Sequence, residues 1–143
     1  MALRLFAFFT GLGYAILGIL GFITQVLWDP ARPRVRQLEI GFGHGYLGGF
    51  LPVNIPHNIL WIVIGVGGIV ASLNRLSART FARGLFVFAT CLAIVGFIPL
   101  GVSTLWGVLP LDGWNVLIHA WTAILAWYFG YVYAYAPWQT VTQ

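Results

Sequence analysis

Two histidines, three asparagines and one aspartate are the side chains of this chain best placed to do chemistry. They fall in two matching groups: Asn54, His57 and Asn58 in "GFLPVNIPHN", and Asp112, Asn115 and His119 in "GVLPLDGWNVLIH". The segment Gly49 to Asn54 recurs as Gly107 to Asp112, an offset of 58 residues. Laid over itself, the repeat pairs Asn54 with Asp112, His57 with Asn115 and Trp61 with His119. Each copy reads as a helix-entry device. Leu-Pro keeps the chain extended, and Asn54 or Asp112 then caps the first orphan N–H groups, with Pro56 in a first turn where its missing N–H costs nothing.

His119 needs more than a cap. It stands seven residues beyond Asp112, about 10 Å along a helix at 1.5 Å per residue, where an imidazole wants a partner. Asn115, His57 or Asn58 would supply an interhelical hydrogen bond, the usual role of polar residues in spans. A cofactor iron or magnesium is the sharper alternative, since His57 and His119 on adjacent helices are able to clamp a haem or hold a chlorophyll. No metal-ligand spacing or CxxC pair accompanies them, and Cys91, alone in the third apolar stretch, reads as a small core residue.

These groups must be positioned by helices in a membrane. The chain has 143 residues, is 60% hydrophobic and only 7% charged, far below the roughly 25% of a soluble domain. Its seven cations are all arginine, against three acids. Four apolar stretches, about 5–27, 55–73, 81–99 and 113–135, approach or exceed the roughly 17 to 25 residues needed to cross a bilayer. The first follows Arg4 but is too long for a signal-peptide core and lacks a small-x-small cleavage site. The expected fold is therefore all-α, one transmembrane domain of four helices over 1–143. It consists of two hairpin repeats, 5–73 with a long loop 28–54, and 79–135. An even number of spans per repeat makes the repeats parallel, related by an axis along the membrane normal.

Helix four is two-faced. Trp114, Trp121, Tyr128 and Tyr135 recur every seventh residue and form one aromatic ridge, which is expected to face lipid or a protein partner. Asn115, His119, Thr122, Ala126 and Gly130 fall on a small and polar face suited to close contact with Gly11, Ala15, Gly18, Gly65, Gly68, Ala89 and Ala93 of the other helices. In the long loop, Arg32, Arg34 and Arg36 alternate with Pro33 and Val35, so an extended strand lines them on one side for headgroups or an acidic partner. "GFGHGYLGG" lacks the lysine and spacing of a phosphate loop and reads as a pliable aromatic loop. Arg75, Arg79 and Arg83, spaced by four, suit cytoplasmic headgroups. With Arg4 they outnumber the loop arginines by four to three, which favours cytoplasmic termini in a bacterial inner membrane or thylakoid.

The duplicated G-x-L-P-x-N/D signature, "NIPHN" and "DGWNVLIH" resemble an uncharacterised bacterial family of small four-helix membrane proteins catalogued as a domain of unknown function. The likeness runs over roughly residues 5–130. It implies a fold and no activity. Members look like N-x-x-H/D-N followed by a histidine in both halves; here Trp61 stands where the first histidine belongs, and Val116 replaces the second asparagine.

Catalysis is not expected, because three acids, three histidines and one cysteine show no recognisable spacing. Nucleic acid is excluded as a partner by a modest net charge of +4 confined to helix ends and one loop. An oligomeric transporter of a small neutral solute is a further alternative, although transporters normally place charged groups or broken helices near the midplane and the polar groups here gather at one face. The leading expectation is an accessory subunit of a larger membrane complex, a pigment–protein complex being one suitable host. The uncharged, aromatic "YVYAYAPWQTVTQ" suits such contact.

Overall fold

The computed structural model describes residues 1–23, 27–28, 45–98, 105, 108–111 and 113–133. Four helices dominate: α1 (Ala2–Leu20), α2 (Ile55–Ala71), α3 (Arg75–Phe97) and α4 (Trp114–Trp127), the last running on into a π-helical turn, Tyr128–Val132. Of these, α1 and α3 are long and apolar enough to cross a membrane, and α2 is a shorter apolar helix.

The all-α expectation needs correction. The long first loop contributes a three-stranded antiparallel sheet: β1 (Leu27–Trp28), β2 (Gly45–Leu47) and β3 (Leu51–Val53), in the order β1-β2-β3. Gly48 and Gly49, at φ 62° and 81°, turn β2 back onto β3 with Tyr46 opposite Pro52. Only glycine takes these angles freely, so the glycine run that looked pliable makes a tight turn at its end. Tyr46, Leu47, Leu51 and Val53 are buried, which makes the sheet part of the core.

Helix boundaries also move. α1 stops at Leu20 and not near residue 27. α3 begins at Arg75, six residues before the expected 81, because the Asn74 side chain accepts a 2.8 Å bond from Ser77 N and caps it there. Arg75 and Arg79 therefore lie in the first turns of a helix and not in a loop.

α1 and α2 form one close pair and α3 and α4 another. Small residues allow it. A Cβ at Gly11 would lie 2.6 Å from the Gly65 carbonyl oxygen, and one at Gly65 would lie 2.5 Å from Ala15 N. Gly18 faces Asn58 and Ile62 further along, so α1 and α2 run antiparallel. In the second pair Gly96 meets Leu111 and Val116, while Gly130 meets Ala82 and Arg83. α3 and α4 are antiparallel too.

Two cross-links join the pairs: Phe6 stacks on Phe129 with centroids 4.7 Å apart, and the Tyr14 hydroxyl bonds the Thr122 hydroxyl at 2.9 Å. One core cluster sits near the first link, around Leu3, Phe6, Ala78, Leu85 and Ala126. The other joins Tyr14 and Trp61 to the sheet residues Leu47, Leu51 and Val53. Interhelical hydroxyl bonds of this kind contribute about 0.6 kcal/mol on average. Tyr14→Phe should therefore lower stability in detergent by less than about 1 kcal/mol, and Thr122→Val should add almost nothing in that background. Additive losses in the double variant would show that the two hydroxyls do not act as a pair.

The ends of the molecule differ in charge. Among the described residues every formally charged side chain is an arginine, and Arg4, Arg75, Arg79 and Arg83 all sit at the end opposite the sheet. Arg4 donates to the Ser72 carbonyl at the end of α2, at 2.7 Å. Arg83 donates to the Gly130 carbonyl at 3.2 Å and lies over the Tyr131 ring, 5.0 Å from its centroid. Its guanidinium thus supports the π-helical turn, a role beyond the expected headgroup contact. Cys91 is exposed, which corrects its assignment to the core.

Candidate functional site

The polar groups converge at the sheet end, where α2 and α4 both begin. Asn54 is extended, at φ −148° and ψ 172°, and its side-chain oxygen accepts from His57 N at 2.9 Å. That cap starts α2 and fixes His57 and Asn58 in its first turn. Trp61 follows at helical spacing on the same face, and all three are fully buried. The Asn54 amide nitrogen reaches across to the Val108 carbonyl at 2.9 Å, so both ends of this side chain are engaged.

α4 begins differently. Its cap position falls on Gly113 at φ 55°, with no side-chain cap bond, in place of the expected Asp112 cap. Asp112 itself lies outside the described residues. Asn115, one residue into the helix, turns its amide nitrogen back onto the Pro52 carbonyl at 2.7 Å and also onto the Pro110 carbonyl. The two prolines occupy the same place in the two copies of the signature, 58 residues apart. Asn54 and Asn115 thereby stitch each entry device to the other.

His57 and His119 meet. Their ring centroids lie 5.9 Å apart with an interplanar angle of 48°, and His57 packs on Trp61 at 4.2 Å. Yet the expected hydrogen bond from His119 to Asn115, Asn58 or His57 is not made: all four ring nitrogens are buried without a hydrogen-bond partner. The reason lies in what the asparagines already do. The Asn115 nitrogen is committed to the two proline carbonyls. The Asn58 amide lies against Gly21 at the end of α1, so closely that a Cβ there would overlap it. Asn58 Oδ1 and Nδ2, Asn115 Oδ1 and Trp61 Nε1 are unpartnered as well. Such a concentration of unsatisfied polar atoms is unusual inside a folded chain. Among the described residues no group of three His, Cys, Asp or Glu forms a metal cluster.

The aromatic residues of α4 point away from this site. Trp114, Trp121 and Tyr128 are 53%, 64% and 42% exposed, whereas Asn115, His119, Ala126 and Gly130 are buried. Phe50 from the sheet turn packs edge-on against Trp114 at 5.7 Å. Tyr135, Arg32, Arg34, Arg36 and His44 lie outside the described residues. Sequence reasoning used Trp61 only as the counterpart of His119, although its spacing from His57 and Asn58 already put it on their face. The acceptor carbonyls of Pro52, Val108 and Pro110 carry no side-chain signal and were not legible at all.

The fold and site define a small, mostly helical protein with two helices able to span a membrane and a buried polar cluster at one end. The chain belongs to the family described as Domain of unknown function (DUF4383), whose model matches residues 4–132. Neither the curated proteins nor the solved structures contain a match to it.

Proposed function

We propose that this chain is a four-span integral-membrane protein, built from two parallel hairpin repeats, that serves as a non-catalytic accessory subunit of a larger membrane complex. The observation that carries the proposal is the outward face of α4, where Trp114, Trp121 and Tyr128 are exposed beside Leu117, Ile124 and Leu125. Large aromatic side chains dominate binding energy where they meet a partner. Lipid alone accounts poorly for the ridge, because a headgroup belt explains Trp114 but not Trp121, about 10 Å deeper along the helix.

Further support for the membrane reading comes from Phe9, Val63, Leu76 and Phe97, each more than 60% exposed on other faces. Large apolar side chains exposed on several helices are suited to a hydrocarbon surrounding. The repeat is supported by the Asn115 nitrogen, which bonds the equivalent prolines of both copies. A bacterial inner membrane or thylakoid suits such a subunit, with the termini at the arginine-rich cytoplasmic face. A pigment–protein assembly is a suitable host. A haem or chlorophyll clamped between His57 and His119 has less support, because both rings are fully buried and His57 is packed against Trp61.

Purification of the native protein in mild detergent tests the proposal. The chain is expected to migrate with a larger assembly, and Trp121→Ala with Tyr128→Ala should reduce recovery of that partner roughly tenfold or more while the chain itself stays folded. A chain that runs alone and colourless sinks the subunit reading.

A further inference from the structure

The arginine end of the molecule holds a cavity that neither the polar cluster nor the α4 ridge accounts for. Its volume is about 530 Å³, and it is lined by Met1, Arg4, Leu5, Phe8 and Ser72. It lies where the first turns of α1 pass the end of α2.

Arg4 is held in place there by the protein itself. Its Nε–H donates to the Ser72 carbonyl at 2.7 Å, across 68 residues of sequence. That acceptor is a neutral backbone oxygen and not a carboxylate, so the guanidinium charge is not paired by it. Among the described residues the two terminal amino groups of Arg4 have no partner. With Nε engaged, the N–H groups of Nη1 and Nη2 are the fork left open, an arrangement that grips two oxygens of one phosphate. The carbonyl end of α2 brings about half a negative charge, less than the whole positive charge of the guanidinium, so an anion is attracted on balance. A side chain already held in one geometry also loses less rotamer freedom when it binds.

The apolar lining indicates what carries the anion. Leu5 and Phe8 are exposed on the cavity wall, and Leu12, one turn beyond Phe8, is exposed too and continues that surface away from the arginine end. A free phosphate gains nothing from such a wall, whereas an acyl chain does. Arg75, Arg79 and Arg83 sit at the same end, and their charge disfavours the ammonium group of a zwitterionic headgroup.

We propose that this cavity binds one anionic phospholipid, with its phosphodiester on the Arg4 fork and an acyl chain along Phe8 and Leu12. The proposal rests on the reading of the chain as a membrane protein and is independent of the accessory-subunit reading.

Native mass spectrometry of the full chain, delipidated in a neutral detergent, counts the lipid retained when phosphatidylglycerol or phosphatidylcholine is added. One phosphatidylglycerol per chain is expected, bound about tenfold more tightly than phosphatidylcholine. Arg4→Gln should weaken that binding about tenfold, whereas Arg75→Gln, outside the cavity, should change it by less than about threefold. Circular dichroism and gel filtration check the fold of each variant. Where Arg4→Gln does not fold, Arg4→Lys takes its place; it keeps the charge without the fork and should lose about threefold, and unchanged binding in it overturns the proposal. Equal affinity for the two lipids overturns it, and so does an equal loss in the Arg4 and Arg75 variants, which would mean a diffuse surface potential with no site. Glycerol phosphate that competes as well as the intact lipid overturns the lipid assignment, because the apolar wall would then contribute nothing. A chain that stays dissolved without detergent overturns the membrane reading and this proposal together. One that needs detergent yet shows no lipid preference overturns this proposal alone.

Discussion

Gly65→Leu is expected to destabilise the protein by about 3 kcal/mol or more, at the top of the range for overpacking, because the space it needs is occupied by backbone. A Cβ at this position would lie 2.5 Å from Ala15 N and 2.7 Å from Ala15 Cα, before any further side-chain atom is added. A flexible side chain could swing aside, but α1 can yield only by moving as a whole, and Gly11 and Gly68 hold it at equally short range nearby. Between helices in lipid, dispersion contacts from close approach replace the hydrophobic driving force, so separating the backbones removes the main attraction. Gly13→Ala supplies the contrast. Nothing lies within 4 Å of a Cβ there, and the helix propensity of alanine should leave stability unchanged or raise it by up to about 1 kcal/mol. Unfolding in mixed micelles followed by circular dichroism measures both. A Gly65→Leu protein as stable as Gly13→Ala would mean that the α1–α2 contact is looser than described.

The second large effect is expected at Asn115. Replacement by leucine removes the amide that bonds both Pro52 and Pro110 carbonyls, and each buried acceptor left unsatisfied costs about 1 to 3 kcal/mol. Removing the unpartnered Asn115 oxygen offsets part of this, so a net loss of about 2 kcal/mol is expected. Asn115→Asp should cost more than Asn115→Leu, because it points a carboxylate oxygen at two carbonyl oxygens. The same unfolding measurement decides the order. If the aspartate variant is the more stable of the two, the amide nitrogen is not what joins the entry devices.

Much of the helical frame was legible because the apolar stretches are long and almost free of charge. The boundaries were harder. Asn74 set the start of α3 through one side-chain bond to Ser77 N, a local signal that the apolar run further along outweighed. Apolar length likewise hid the end of α1, since residues 21–27 are as greasy as the helix before them. The sheet was missed because its strands have only two or three residues, too short for an alternating pattern to register. What fixes them is burial of Tyr46, Leu47, Leu51 and Val53 against the helices, which is a tertiary matter.

By itself the sequence determined the apolar character of the helices, the Asn54 cap that opens α2 and the two faces of α4. Each of these follows from local composition or from a fixed period, and neither needs knowledge of distant residues. Tertiary structure alone decided which groups meet. Asn115 was expected to serve His119, one turn along its own helix, but it bonds carbonyls 63 and five residues away. Backbone carbonyls are present at every position and leave no trace in residue types, so their claim on a side chain is invisible until the chain is folded. The same assembly brought the rings of His57 and His119 to 5.9 Å and buried their nitrogens without a hydrogen-bond partner from the described residues.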